Sequence, residues 1–227
     1  MKGLLAVYGR PRLIFVLLMG FASGLPLALT GATLAVRLTE AHVMLGAIGA
    51  YALVQTAYNF KVLWAPFLDR VPLPLLTAWL GRRRSWLLFI QILLALAIWG
   101  LGRTDPTDAW TTALWAVGVA FLSASQDIVI DAYRVEILTA DEQGAGAAAT
   151  QFGYRLGMIA SGAGALYAAA GFGWTGAYAT MAALMLVGIA TTLAAPEPVT
   201  AVVPGDGLGQ DGQGQDGLGQ DGQGQDG

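Results

Sequence analysis

The chain has 227 residues, 56% hydrophobic and 12% charged, with no cysteine and a formal net charge of −3. An ordinary water-soluble domain carries about 25% charged residues, so the composition excludes a typical soluble globule and points to a chain that lives in lipid. Without cysteine there are no disulfides and no thiolate chemistry, and the charge balance offers no basic surface for nucleic acid.

Six segments are poor enough in charge to cross a membrane: 13–36, 43–66, 85–102, 110–133, 144–170 and 174–195. About 17–25 helical residues cross a hydrocarbon core of roughly 30 Å, and each segment meets that length. Lipid cannot satisfy open backbone groups, and no alternating pattern of barrel strands runs through the sequence, so each segment is expected to be a helix. The predicted fold class is all-α: a polytopic six-transmembrane-helix bundle over residues 13–195, a cytoplasmic N-terminus over 1–12, and a disordered tail over 196–227.

The first segment follows Lys2, Arg10 and Arg12 and is too long for a signal-peptide core, so it reads as a retained span. Segment 2 carries Gln55, Tyr58, Asn59 and Lys61 toward its inner end, where Lys61 either snorkels to the interface or pairs with an acid at matching depth. The inner connection 69–86 holds Asp69, Arg70 and the run Arg82, Arg83, Arg84. Segments 3 and 6 carry little polarity beyond Gln91 and a few threonines and are expected at the lipid-facing periphery. The outer loops are short, at 37–42, 103–109 and 171–173, so neighbouring helices run antiparallel. With the N-terminus inside, eight Lys and Arg fall on inner segments and only Arg37 and Arg103 on outer loops. That bias places both chain ends in the cytoplasm.

Segment 4 ends in ASQDIVIDAYRVE (124–136), which places Asp127, Asp131, Arg134 and Glu136 within ten residues. Ser123, Asp127, Asp131 and Arg134 share one helical stripe, and Glu136, nine residues beyond Asp127, lies on the opposite side. Asp131, Arg134 and Glu136 are expected to join Asp69, Arg70 and Arg82 to Arg84 in a cytoplasmic charge network. Asp127 lies deeper. Burial raises the pKa of a carboxyl unless a base such as Lys61 offsets it, and a carboxyl so poised suits proton coupling.

Segment 5 puts Arg155 near the middle of the membrane, with Gln151 on the same face and Tyr154 beside it. Gly153, Gly157, Ser161, Ala165 and Ala169 form a stripe of small residues that lets helices approach closely. Arg155 lies two residues, about 200°, from the start of that stripe. A charge at mid-bilayer costs about 2.5–3.5 kcal/mol on insertion scales, so Arg155 either pairs with a buried acid or lines a hydrated substrate path.

LDR (68–70) followed by GRRR (81–84), with residues 71–80 between them, resembles a stretched loop signature of the major facilitator superfamily. GFASGLPLALTGATL (20–34), LWAPFLDR (63–70), LGRRRSW (80–86), SASQDIVIDAYRVEIL (123–138) and GYRLGMIASGAGAL (153–166) together resemble the muropeptide permease (AmpG) family. A related group of acetyl-CoA transporters is similar around Gln126, Asp127 and Asp131. The resemblance implies an inner-membrane, proton-driven importer of anhydro-muropeptides for cell-wall recycling. Helices 1 and 4 would line the cavity and helices 3 and 6 would sit outside. Arg155, Gln151 and Tyr154, with Gln126 and Asn59, would contact a substrate rich in carboxylates and sugars, and Asp127 and Lys61 would couple protons. That fold needs two six-helix halves and this sequence supplies the segments of one. The expected partner is therefore a second half or a second copy, the alternatives being an idle truncated product or an acetyl-CoA-type permease.

An intramembrane enzyme is the rival class. His42 is the only histidine, and no GxSxG, HExxH or paired-Asp protease motif accompanies it, so no catalytic residue, metal or cofactor is expected. From Asp206 the tail repeats DGLGQ and DGQGQ, with nothing to bury, and reads as disordered. Its uniformity resembles a translated DNA repeat, as a frameshift or expansion would leave.

Overall fold

The computed structural model describes residues 10–44 and 60–198. The repeat tail, the first nine residues and most of segment 2, including Gln55, Tyr58 and Asn59, lie outside them. All regular structure among the described residues is helical: α1 (Pro11–Thr30), α2 (Ala32–Glu40), α3 (Ala65–Arg70), α4 (Leu76–Leu80), α5 (Arg82–Arg103), α6 (Ala109–Ile137), α7 (Gln143–Ile159) and α8 (Ala165–Ala194). A π turn (Ala160–Gly164) joins α7 to α8.

Pro11 opens α1, where its fixed φ and missing N–H suit a first helical turn. The helix breaks at Gly31, and α2 carries the same apolar span on to Glu40. The expected loop 37–42 is accordingly shorter: Arg37 is helical and buried. Asp108 starts α6 by accepting a 3.1 Å hydrogen bond from the Thr111 N–H. The stretch Ala140–Ala194 is 55 residues long, about twice what one crossing needs. Gly173 divides it, with φ 72° and ψ 173°, a backbone geometry open essentially to glycine alone. The chain turns back there. Glu142 meets Arg10 at one end of the bundle, the Ser161 carbonyl accepts from Thr33 near the other, and Thr192 has returned to the depth of Gln91. The structure is thus an antiparallel, polytopic membrane bundle.

α1 is the central helix, packed on α6, α7 and α8. Its contact with α7 is backbone on backbone. A Cβ added to Gly24 would overlap the Tyr154 carbonyl oxygen, and one on Gly157 would overlap the Phe21 carbonyl oxygen. Gly153, Gly157, Ser161 and Ala165 of the small-residue stripe are buried in this region. Two apolar clusters fill the bundle, one around Leu29, Ile98, Leu101, Tyr178 and Met185, the other around Leu13, Leu87, Val129 and Tyr133.

The expectation that segments 3 and 6 are peripheral needs correction. α5 and α8 pack on each other and supply Leu94, Leu101, Tyr178 and Met185 to the core, so only their outer faces meet lipid. Gln91, fully buried, accepts a 2.9 Å hydrogen bond from Thr192. A polar pair that finds its partner across the seam keeps both helices inward on that face.

Candidate substrate and coupling site

The polar residues of α6 sit where α1 crosses it. Ser23 of α1 donates a hydrogen bond to Asp127 Oδ1. The Lys61 ammonium and the Asp131 carboxylate act on Asp127 electrostatically, but no Lys61–Asp127 ion pair forms among the described residues. The expected pairing with Lys61 is therefore replaced by a hydroxyl from α1. Lys61, itself half-buried, lies in an otherwise exposed turn ahead of α3. Nothing in the sequence marks Ser23 for this role, because an isolated serine in an apolar helix carries no signal of its own.

Gln126 and Ser123 are fully buried beside this pair, and neither the Gln126 amide nor the Ser123 hydroxyl has a hydrogen-bond partner. Gln126 is one of the residues expected to contact substrate. In this conformation it has no open surface, because its helix face turns into the bundle. Buried amides are normally hydrogen-bonded, so this unpartnered one stands out among the buried polar groups of the bundle.

On α7 the face opposite the α1 seam exposes Gln151, Phe152, Arg155 and Ile159. Arg155 makes no ion pair among the described residues. Tyr154 is half-buried between the two regions, within the electrostatic reach of both Asp127 and Arg155. Asn59 lies outside the described residues.

The charge network forms around Arg83. Its Nη1 donates to Asp69 at 2.6 Å, its Nε donates to both Glu136 oxygens at 3.0 and 3.1 Å, and its Nη2 also reaches Glu136. Asp131 and Arg134, expected to make this connection, pair instead with each other along α6, at 3.6 Å. Of the three expected α6 residues, Glu136 alone reaches Arg83, because its position on the far side of α6 from Asp127 faces α5. Arg84 donates to the Thr192 and Leu193 carbonyls at 2.9 and 2.6 Å, closing the end of α8. Arg70 and Arg82 make no ion pair among the described residues. Glu197, which the sequence does not single out, accepts from the backbone N–H groups of Arg83 and Arg84 at 2.9 and 3.1 Å and so caps α5.

A second anchor lies at the opposite end. Arg37 donates to the carbonyls of Leu101 and Thr104, and its guanidinium stands 5.3 Å from the Tyr178 ring centre. The sequence suggests only a loop cation, since nothing local marks an arginine that caps a distant helix.

The family described as acetyl-coenzyme A transporter 1 matches residues 12–109. The chain is 49% identical over 201 residues to an anhydromuropeptide permease of Escherichia coli strain K12, covering 87% of this chain and 40% of the relative. It is 39% identical over 194 residues to a protein named putative transporter AmpG 3 of Rickettsia prowazekii, covering 85% of this chain and 46% of the relative. The chain therefore spans less than half the length of these curated relatives. The likeness of this antiparallel membrane bundle is therefore to the anhydromuropeptide permeases, over less than half their length.

Proposed function

We propose that the chain supplies one six-helix half of a secondary transporter that imports anhydro-muropeptides across the bacterial inner membrane for cell-wall recycling, coupled to protons. The observation that carries this reading is Arg155, without an ion pair among the described residues, on the exposed face of α7, with the half-buried Tyr154 within electrostatic reach of both Arg155 and the Ser23-bound Asp127. Arg155, with Gln151, Tyr154 and Asn59, binds the carboxylates and sugar hydroxyls of the substrate, since guanidinium fits carboxylate with two parallel hydrogen bonds. Gln126 enters the site when the bundle opens. Asp127 takes up and releases the proton, with Lys61 setting its charge balance. Both chain ends lie in the cytoplasm, and the Arg83 network, with Asp69 and Glu136, holds the cytoplasmic ends of the helices together.

Transport requires a second six-helix half beside this one. The test is uptake of labelled anhydro-muropeptide into inverted and right-side-out vesicles, by this chain alone and with a second half co-expressed. In the active combination, Arg155→Ala is expected to abolish uptake while leaving membrane insertion intact, and wild-type uptake in that variant would remove Arg155 from the site. Asp127→Asn is expected to lose accumulation driven by a proton gradient, and an unchanged response to the gradient would refute the coupling role. The match over residues 12–109 favours one other cargo, an acetyl-CoA-like thioester. Competition of labelled muropeptide uptake by acetyl-CoA separates the two.

A further inference from the structure

Segments 1 and 5 lose regular helix at the same level of the bundle. Between α1 and α2, Gly31 leaves the helical conformation, with φ −105° and ψ −109°. Between α7 and α8, Ala160–Gly164 form the π turn, an irregularity at which helices bend. One hydrogen bond joins the two breaks. Thr33, two residues past Gly31, donates at 2.8 Å to the Ser161 carbonyl, and both residues are buried.

The chain is held differently on the two sides of this level. On the inner side α1 and α7 are locked to each other: their backbones meet between Gly20 and Gly24 of one helix and Gly153 and Gly157 of the other, and Arg10 pairs with Glu142 at the inner end. On the outer side α2 is held by other helices. Arg37 donates to the Leu101 and Thr104 carbonyls at the end of α5, and Glu40 accepts at 2.7 Å from Trp174, which lies just past the turn at Gly173. The π turn itself reads ASGAG, and a Cβ added to Gly162 or Gly164 meets nothing within 4 Å among the described residues. Glycine inside a helix costs about 1 kcal/mol relative to alanine. No described neighbour requires it at these two positions, so what it contributes is backbone freedom.

We propose that Gly31 and the π turn form one paired hinge, latched by the Thr33–Ser161 hydrogen bond, about which α1 and α7 swing as a rigid pair against the outer ends of their segments. A single break would shear the α1–α7 seam as its helix bent. Two breaks at one level let both helices turn through the same angle with the seam intact, as hinges confined to a few backbone positions do. Ser23 rides on α1 and Arg155 on α7, whereas Asp127 belongs to α6, so the swing shifts the first two together relative to the third. The hinge holds whatever the cargo.

The test is electron–electron distance measurement between spin labels on cysteine pairs in the full chain, which has no native cysteine to take up label. Ile14→Cys with Ile159→Cys lies wholly on the rigid pair, and Ile14→Cys with Tyr167→Cys spans the hinge; all three positions are exposed among the described residues. The first pair is expected to give one narrow distance and the second a major and a minor population. Thr33→Val keeps the side chain's shape but removes the latch. It is expected to raise the minor population about fivefold, the worth of one buried hydrogen bond, and to leave the first pair unchanged. Thr33→Ser, which keeps the hydroxyl, is expected to restore the wild-type distribution, and Gly162→Ala to shrink the minor population by stiffening the turn. The proposal is overturned by a wild-type distribution for Ile14 and Tyr167 as narrow as that for Ile14 and Ile159. It is equally overturned if either Thr33→Val or Gly162→Ala leaves the hinge-spanning distribution unmoved, or if Thr33→Val moves both pairs alike.

Discussion

Removing the acid from the Arg83 network should destabilise the bundle more than removing the base. The Arg83 side chain is only 9% exposed, whereas Glu136 is 28% and Asp69 46% exposed. In Glu136→Ala the guanidinium stays buried and loses the acceptor for its Nε and Nη2 donors. Breaking a buried pair in this way costs about 3–5 kcal/mol, and partial access of water to the Glu136 side points to the lower end. In Arg83→Met the stem's packing is largely kept and both carboxylates turn to water, a loss nearer the roughly 1 kcal/mol of an exposed pair. Glu197 still caps α5 in both variants, because it accepts from backbone N–H groups. At about 2–4 °C per kcal/mol for a chain of this size, Tm should fall by about 6–12 °C in Glu136→Ala and about 2–4 °C in Arg83→Met. Tryptophan fluorescence during heating of the detergent-solubilised protein reads both. Equal losses, or a larger loss in Arg83→Met, would contradict the argument from unequal burial.

Gly24→Ala and Gly157→Ala should each cost about 1–3 kcal/mol, since the added methyl overlaps backbone across the α1–α7 seam. Gly162→Ala, where a Cβ meets nothing within 4 Å, should not lower the melting temperature in the same assay. Arg37→Gln should cost about 2–3 kcal/mol by weakening charged hydrogen bonds to the end of α5, and proteolysis at residues 103–109 is expected to quicken. The Asp108 carboxyl is held below its ordinary range by hydrogen bonding to Thr111. Such a carboxylate stabilises the fold above its unfolded pKa and loses that contribution as pH falls through the lower folded value. Melting temperature should therefore decline with acidity below about pH 4, and Asp108→Asn, which keeps an N-cap acceptor, should decline less steeply over that window.

The helical spans can be read directly, because lipid enforces a length and a lack of charge that any sequence must show. The small-residue stripe of α7 is also legible, since its four-residue period marks a helix face made for close approach. Periodicity fixes which residues share a face, but not which neighbour that face meets. Asp131, Arg134 and Glu136 all reach one surface by their spacing, yet only Glu136 points at α5. Family resemblance alone marks Gln126 as a substrate contact, and the rotation of its helix, which buries it in this bundle, could not be read from spacing.

The sequence by itself determined a membrane bundle, its long apolar helices and the residues that bear charge within it, because hydration energy acts on each segment alone. Tertiary structure decided the partners: Ser23 for Asp127, Glu136 for Arg83, Glu197 for the start of α5 and Arg37 for its end. Those pairings depend on how the helices are rotated and how deeply they are set against one another, and close packing of all the spans together fixes both.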